Sequence, residues 1–188
     1  DQNGGIYRGR TLYSFVDNHD VDRIMSKLNN KNHVFPVYTL LYTLPGIPSI
    51  YYGSEWGIEG RKQGSNDDAM RPCLDLAEMT QNNGHPKLTE HIRALGKLRE
   101  GNDILAEGRY QELVLTNRQY AYARILDQDA ILVAANNDEE EAAMRIPVPV
   151  AAKEARDALT GEKIEIENGS IQLTVKACGS VIIRCMGS

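Results

Sequence analysis

Hydrophobic and polar positions change period several times along this chain. Residues 11–16 (Thr-Leu-Tyr-Ser-Phe-Val) are β-rich and stop at four polar residues, 17–20, which predicts a short strand running into a loop. Within residues 34–44, Val37, Leu40, Leu41 and Leu44 recur at helical spacing and predict a buried helix. Pro36 is tolerated there because it falls in the first turn, and Pro45-Gly46 ends the helix. Residues 47–52 carry no charge and read as a strand of a parallel sheet covered on both faces. Strand, helix and strand in this order make a βαβ unit. Residues 53–87 are rich in Gly, Asn, Asp and charge, without a hydrophobic period, and read as a long loop. Leu88, Ile92, Leu95 and Leu98 then form the stripe of an amphipathic helix that starts at Pro86 and ends at Gly101.

The second part has a different rhythm. From about Gly108 the chain shows short alternating strands separated by turn signals, at residues 120–125, 130–134, 163–166, 170–175 and 181–184. Asn168-Gly169 is a hairpin signal, and residues 157–161 form a second turn. Regular short strands predict an antiparallel β-sandwich. The expected division is therefore residues 1–106, α/β, and residues 107–188, all-β. The acidic run at residues 138–141 reads as a solvated turn.

Candidate chemistry lies in three segments of the first part: Phe15-Val16-Asp17-Asn18-His19-Asp20, Gly46-Ile47-Pro48-Ser49-Ile50-Tyr51-Tyr52-Gly53-Ser54-Glu55, and Asn66-Asp67-Asp68-Ala69-Met70-Arg71. Polar residues at the C-terminal end of a barrel strand face the catalytic mouth. The plain alternative for the first segment is an Asx-rich turn closing a strand, and for the third a solvated loop ion pair. In order and spacing the segments resemble the alpha-amylase family of glycoside hydrolases: the seventh barrel strand, the eighth, and a donor-side sugar-binding element. The resemblance implies the C-terminal portion of a (β/α)8 TIM barrel followed by the β-sandwich. It implies Asp20 as the third catalytic carboxylate, accepting hydrogen bonds from the 2- and 3-hydroxyls of the sugar at the cleavage point, with His19 donating to the same ring. It implies Asp67 and Arg71 as a pair holding a sugar on the donor side; Asp68 stands where the family often has proline. Trp56 reads equally as a stacking platform or as packing.

A complete barrel needs ~250 residues, and this chain has 188 and opens at Asp1. The Arg-x-Asp that the resemblance implies for the nucleophile does not occur in it, and the Glu after the fifth strand that it implies for the acid/base is not found either. The expectation is a fragment of a retaining glycoside hydrolase acting on α-glucosidic bonds of starch or maltodextrin, inactive alone. The alternatives are a transglycosylase on the same scaffold and a non-catalytic amylase-like binding protein. The expected partner is an α-glucan or maltooligosaccharide substrate, and open sheet edges in the first part predict self-association. A net charge of −5 argues against nucleic-acid binding, and no apolar run is long enough to span a bilayer. Three cysteines lean toward a reducing compartment, hence slightly toward the cytoplasm over secretion. His33, His85 and His91 show no metal-ligand spacing and read as surface or capping residues. No cofactor is expected; calcium is common in the family, but the ligands it uses there lie mainly upstream of these motifs.

Overall fold

The computed structural model describes residues 7, 9–64 and 66–187. Residues 1–6, 8 and 65 of the expected first part and residue 188 of the second therefore lie outside the described residues. The chain begins with β1 (Tyr13–Ser14), α1 (Ile24–Lys27), a 3-10 turn at Lys31–His33, α2 (Val34–Thr43) and β2 (Ile47–Pro48). β1 and β2 lie parallel, Tyr13 opposite Ile47 and Ser14 opposite Pro48, so the expected βαβ unit forms. Both strands are shorter than the β-rich runs that announced them. Among the described residues each has a ladder on one side only, in which Leu12 O accepts from Ile47 N at 2.7 Å and Ser14 O from Ser49 N at 2.8 Å.

The helix expected over residues 34–44 is α2, with Pro36 in its first turn and Tyr38 and Leu41 buried. Its last carbonyls need partners, as at any helix C-terminus, and two guanidinium groups from elsewhere supply them. Arg99 donates to Tyr42 O and, just past the helix, to Gly46 O, and Arg124 donates to Thr43 O at 3.1 Å. Positive charge there also suits the helix dipole.

Residues 53–87 are not structureless. They contain 3-10 turns at Ser54–Trp56 and Asp68–Met70 and then α3 (Leu76–Gln81). α3 escaped the hydrophobic pattern because it buries none of its residues; Asp75 caps it, accepting from Glu78 N at 2.8 Å. The amphipathic helix is α4 (Pro86–Arg99), with Leu88, Ile92 and Leu95 inward, followed by a short α5 (Asp103–Glu107) that the pattern did not announce.

Beyond α5 come β3 (Arg109–Leu115), β4 (Gln119–Leu126), β5 (Asp129–Asn136), β6 (Ala142–Pro147), β7 (Glu154–Asp157), β8 (Lys163–Ile164), β9 (Ser170–Val175) and β10 (Gly179–Met186). One sheet has the order β3-β4-β5-β10-β7-β8, all neighbours antiparallel, and β6 pairs with β9 in a second. Asn168 and Gly169 both have positive φ, and Glu167 and Ser170 exchange two hydrogen bonds across them. The turn forms as its dipeptide demands, but β8 and β9, which flank it, belong to different sheets. At the second turn, Asp157 accepts from Leu159 N and Thr160 N at 2.9 and 2.8 Å, closing β7 onto β8.

Both faces of the larger sheet are covered. Tyr122, Ile131, Val133 and Ile182 join Tyr38, Leu41, Leu88, Ile92, Leu95, Ile104 and Leu105 in one core. Ala121, Ala123, Leu132, Ala134 and Ile183 face Met144, Ile146, Ile171 and Val175 of the smaller sheet in another. β5 is therefore buried almost end to end rather than on alternate residues, as expected of a strand covered on both sides. No helix among the described residues is long and apolar enough to cross a membrane.

Candidate active site

The turn after β1 is built by two side chains. Asn18 Oδ1 accepts from the backbone N–H of Asp20 at 2.8 Å and of Val21 at 3.2 Å, an Asx turn of the kind short polar side chains favour. Asp17 is buried and accepts from Ile24 N at 2.9 Å, fixing the start of α1, and from Ser54 Oγ–H at 2.9 Å. The plain reading of the segment as a turn is thus correct for Asp17 and Asn18. His19 and Asp20, which neither of those bonds uses up, are left facing outward. His19 Nε2 stands 3.2 Å from Asp20 Oδ2, with the two side chains 56% and 63% exposed.

The segment carrying Asp67 and Arg71 folds back against this turn. Arg71 Nε donates to His19 O at 3.1 Å, and one terminal nitrogen lies 2.9 Å from Asp67 Oδ2 and 3.4 Å from Asp20 Oδ1. Lys62 Nζ lies 3.4 Å from Asp67 Oδ1. All four residues expected to form a site, separated by up to 52 positions in sequence, are therefore joined in one chain of contacts through Arg71. At this exposure such ion pairs add little stability. Their chemical content is a set of outward acceptors and donors: carboxylates that can accept from sugar hydroxyls, and a guanidinium that can donate to them.

Beneath the exposed layer lie groups that the motifs did not single out. Arg23 is wholly buried, and its guanidinium lies 4.2 Å from the centroid of the Tyr51 ring, which in turn is 6.3 Å from His19. Tyr38, also buried, has its pKa pushed well up, first by burial and then by the Asp17 charge. Asp17 and Ser54 sat in unassigned positions of quoted motifs; Arg23 is an isolated arginine in a polar stretch, and no local pattern marks it. Trp56 lies in the 3-10 turn beside α4. His91 is neither a surface nor a capping residue: it is half-buried, with Nε2 3.1 Å from both Phe35 O and Thr39 Oγ1. Among the described residues no three His, Cys, Asp or Glu side chains are placed to hold a metal ion. A cavity of about 620 Å³ lies elsewhere, between α5 and the β4–β5 turn, and none of the four residues lines it.

Comparison with known proteins gives two family matches. The alpha amylase catalytic domain matches residues 5–108, more than half of the chain, and the maltogenic amylase C-terminal domain matches residues 110–182. Neopullulanase 2 of Thermoactinomyces vulgaris is 28% identical over 176 residues, covering 92% of this chain and 29% of that protein. A cyclomaltodextrinase of a Bacillus species is 31% identical over 132 residues, covering 68% of this chain and 22% of that protein. The chain thus spans less than a third of the length of these relatives. The structure of an alpha-amylase from Geobacillus thermoleovorans, complexed with acarbose, superposes with a TM-score of 0.80 at 22% identity, covering 95% of this chain and 39% of that one. With the catalytic-domain match over most of its first part and the shared fold around it, this chain belongs to the alpha-amylase family of glycoside hydrolases.

Proposed function

We propose that this chain supplies one carboxylate and the donor-side subsite of an α-glucan-cleaving active site, as the C-terminal part of a TIM barrel (residues 1–106) followed by a β-sandwich (residues 107–188). The observation that carries the reading is the convergence of His19, Asp20, Asp67 and Arg71 on one exposed surface. A solvated ion pair needs only two partners, and a scaffold needs no outward histidine–carboxylate pair beside it. The division after residue 106 belongs to the same proposal and falls within the last turn of α5.

In this reading the bond broken is an α-glucosidic bond of starch or a maltooligosaccharide, with retention of configuration through a covalent glycosyl-enzyme. That step needs two further carboxyls about 5–5.5 Å apart, and no Arg-x-Asp motif is available in these residues to supply the nucleophile. The 188 residues alone therefore do not catalyse it. Asp20 accepts hydrogen bonds from the 2- and 3-hydroxyls of the reacting sugar. Those bonds strengthen as positive charge develops on the ring, so Asp20 acts on the transition state more than on the bound substrate. His19 donates an N–H to the same sugar and need not titrate. Asp67 and Arg71 bridge hydroxyls of the donor-side sugar. No cofactor takes part in these contacts.

Transfer to a sugar acceptor is the second reading, and one observation favours keeping it: proteins named cyclomaltodextrin glucanotransferase stand beside cyclomaltodextrinases among the relatives. Water and sugar compete for one intermediate, and the residues described here act before that choice.

The test is Asp20→Asn in the longer enzyme, with steady-state kinetics on a maltooligosaccharide. The change keeps size and removes charge where positive charge develops, and losing one preorganised electrostatic contact costs ~10²–10³ in kcat. KM should change by no more than a few-fold. A variant keeping more than about a tenth of the wild-type kcat would remove Asp20 from the transition state.

A further inference from the structure

We propose that Arg23 is a positioning residue of this site: it fixes where Arg71 stands relative to Asp20. The inference rests on the substrate roles given above to those two residues.

The side chain is wholly buried, and its hydrogen bonds all go to segments that carry the site. Nε and one terminal nitrogen donate to Met70 O at 3.0 and 2.7 Å, and Met70 directly precedes Arg71. The other terminal nitrogen donates to Tyr52 O at 2.7 Å and to Ser54 Oγ at 3.2 Å. The central carbon of the group lies over the Tyr51 ring, 4.2 Å from its centroid, and the Arg23 backbone N–H donates to Gly60 O at 2.9 Å. One guanidinium thus joins the turn after β1, the segment after β2 and the segment that presents Arg71.

The balance of charge supports a role beyond packing. Burying a guanidinium is costly unless its charge and its donors are matched. The buried carboxylate of Asp17 reaches Arg23 only through Ser54, whose hydroxyl donates to Asp17 and accepts from Arg23. An apolar side chain would fill the space without that cost. Only a planar fork serves two carbonyls and a hydroxyl at once; a lysine ammonium cannot reach all three.

The effect is directional. Asp20 is held by Asn18 and by the Asp17–Ile24 contact, neither of which needs the Arg23 side chain. Arg71 has surface ties to His19 O, Asp67 and Asp20 and a backbone bond to Asp68 O, but its side chain is exposed, and the buried anchor beside it is the Met70 carbonyl that Arg23 holds. Disturbing Arg23 therefore moves the donor-side pair away from Asp20 and leaves Asp20 in place. Gly60 gives a second route to the same displacement, since a Cβ there would come within 2.2 Å of Ala69 O.

The experiment is a double-mutant cycle in the longer enzyme, reading KM and kcat separately on a maltooligosaccharide. Arg23→Lys and Gly60→Ala should each raise KM about tenfold with kcat held within about twofold, the pattern of lost substrate binding. Added to Arg71→Ala, either change should leave KM within about a factor of two of Arg71→Ala alone, because residues acting through one another are not additive. Multiplying effects on KM, or a fall in kcat at constant KM, overturns the proposal. Should Arg23→Lys fail to fold, the Gly60→Ala cycle decides by the same criteria. Arg71→Ala with unchanged KM removes the donor-side role itself, and the positioning role falls with it, an outcome distinct from multiplication.

Discussion

At the scale of single residues, neighbours in one hexapeptide have opposite duties. Asp17 and Asn18 spend their acceptors on backbone N–H groups and a hydroxyl, whereas the His19 and Asp20 side chains stand exposed, meeting each other and, for Asp20, Arg71. Arg71 is shared between Asp67 at 2.9 Å and Asp20 at 3.4 Å. In the proposed site it touches a sugar beyond the reacting ring, so its loss should act on binding. Arg71→Ala is expected to raise KM for a maltooligosaccharide about tenfold or more while lowering kcat far less than Asp20→Asn does. Steady-state kinetics on both variants checks this; equal losses in kcat would place Arg71 at the reacting sugar instead.

At the scale of elements, α2 is the common neighbour of α4, β5 and β10, and His91 of α4 marks the junction. Its Nε2 lies 3.1 Å from Phe35 O, which can only accept, so this nitrogen carries the proton. Thr39 Oγ1 continues the contact to Ser180 Oγ of β10 at 2.7 Å. Burial lowers the His91 pKa from 6.5, opposed in part by the Phe35 carbonyl. The unfolded chain therefore binds a proton below pH 6.5 more readily than the folded one does. The stability owed to a neutral His91 is fully present above that pH and declines as pH falls through the lower folded value. The melting temperature is expected to drop between about pH 7.5 and about pH 5.5, and His91→Gln should flatten that dependence. Parallel pH profiles for the two proteins would assign the drop to other groups.

At the scale of the whole molecule, helices and strands share a core across the larger sheet, so the two halves support each other. The β1–β2 pair is the exception. Among the described residues each strand has an unpaired edge, and Leu12, Tyr13, Phe15 and Ile47 are 43%, 66%, 44% and 52% exposed. Open edges and clustered apolar side chains invite pairing with another chain. Sedimentation of the 188-residue chain should show association that grows with concentration and weakens in a Tyr13→Ser/Ile47→Ser double variant. A stable monomer at every concentration, with amides protected across β1 and β2, would contradict this.

What the sequence determined by itself was local chemistry with strong punctuation. α2 has Pro36 in its first turn and stops before Pro45-Gly46, and α4 starts at Pro86 and stops before Gly101, because proline and glycine restrict or free the backbone whatever surrounds them. Asn168-Gly169 turned where positive φ was cheapest. The four candidate site residues were legible because they sit in motifs. The tertiary structure alone decided how far strands extend, since a ladder needs a partner, and β1 and β2 stop after two residues each. It decided that β8 and β9 part into different sheets, that β5 is buried on both faces, and that His91 bridges helices instead of facing water. It also decided Arg23. A buried guanidinium is defined by carbonyls 29 and 47 positions away in sequence, and long-range hydrogen bonds leave no periodicity for a sequence to show.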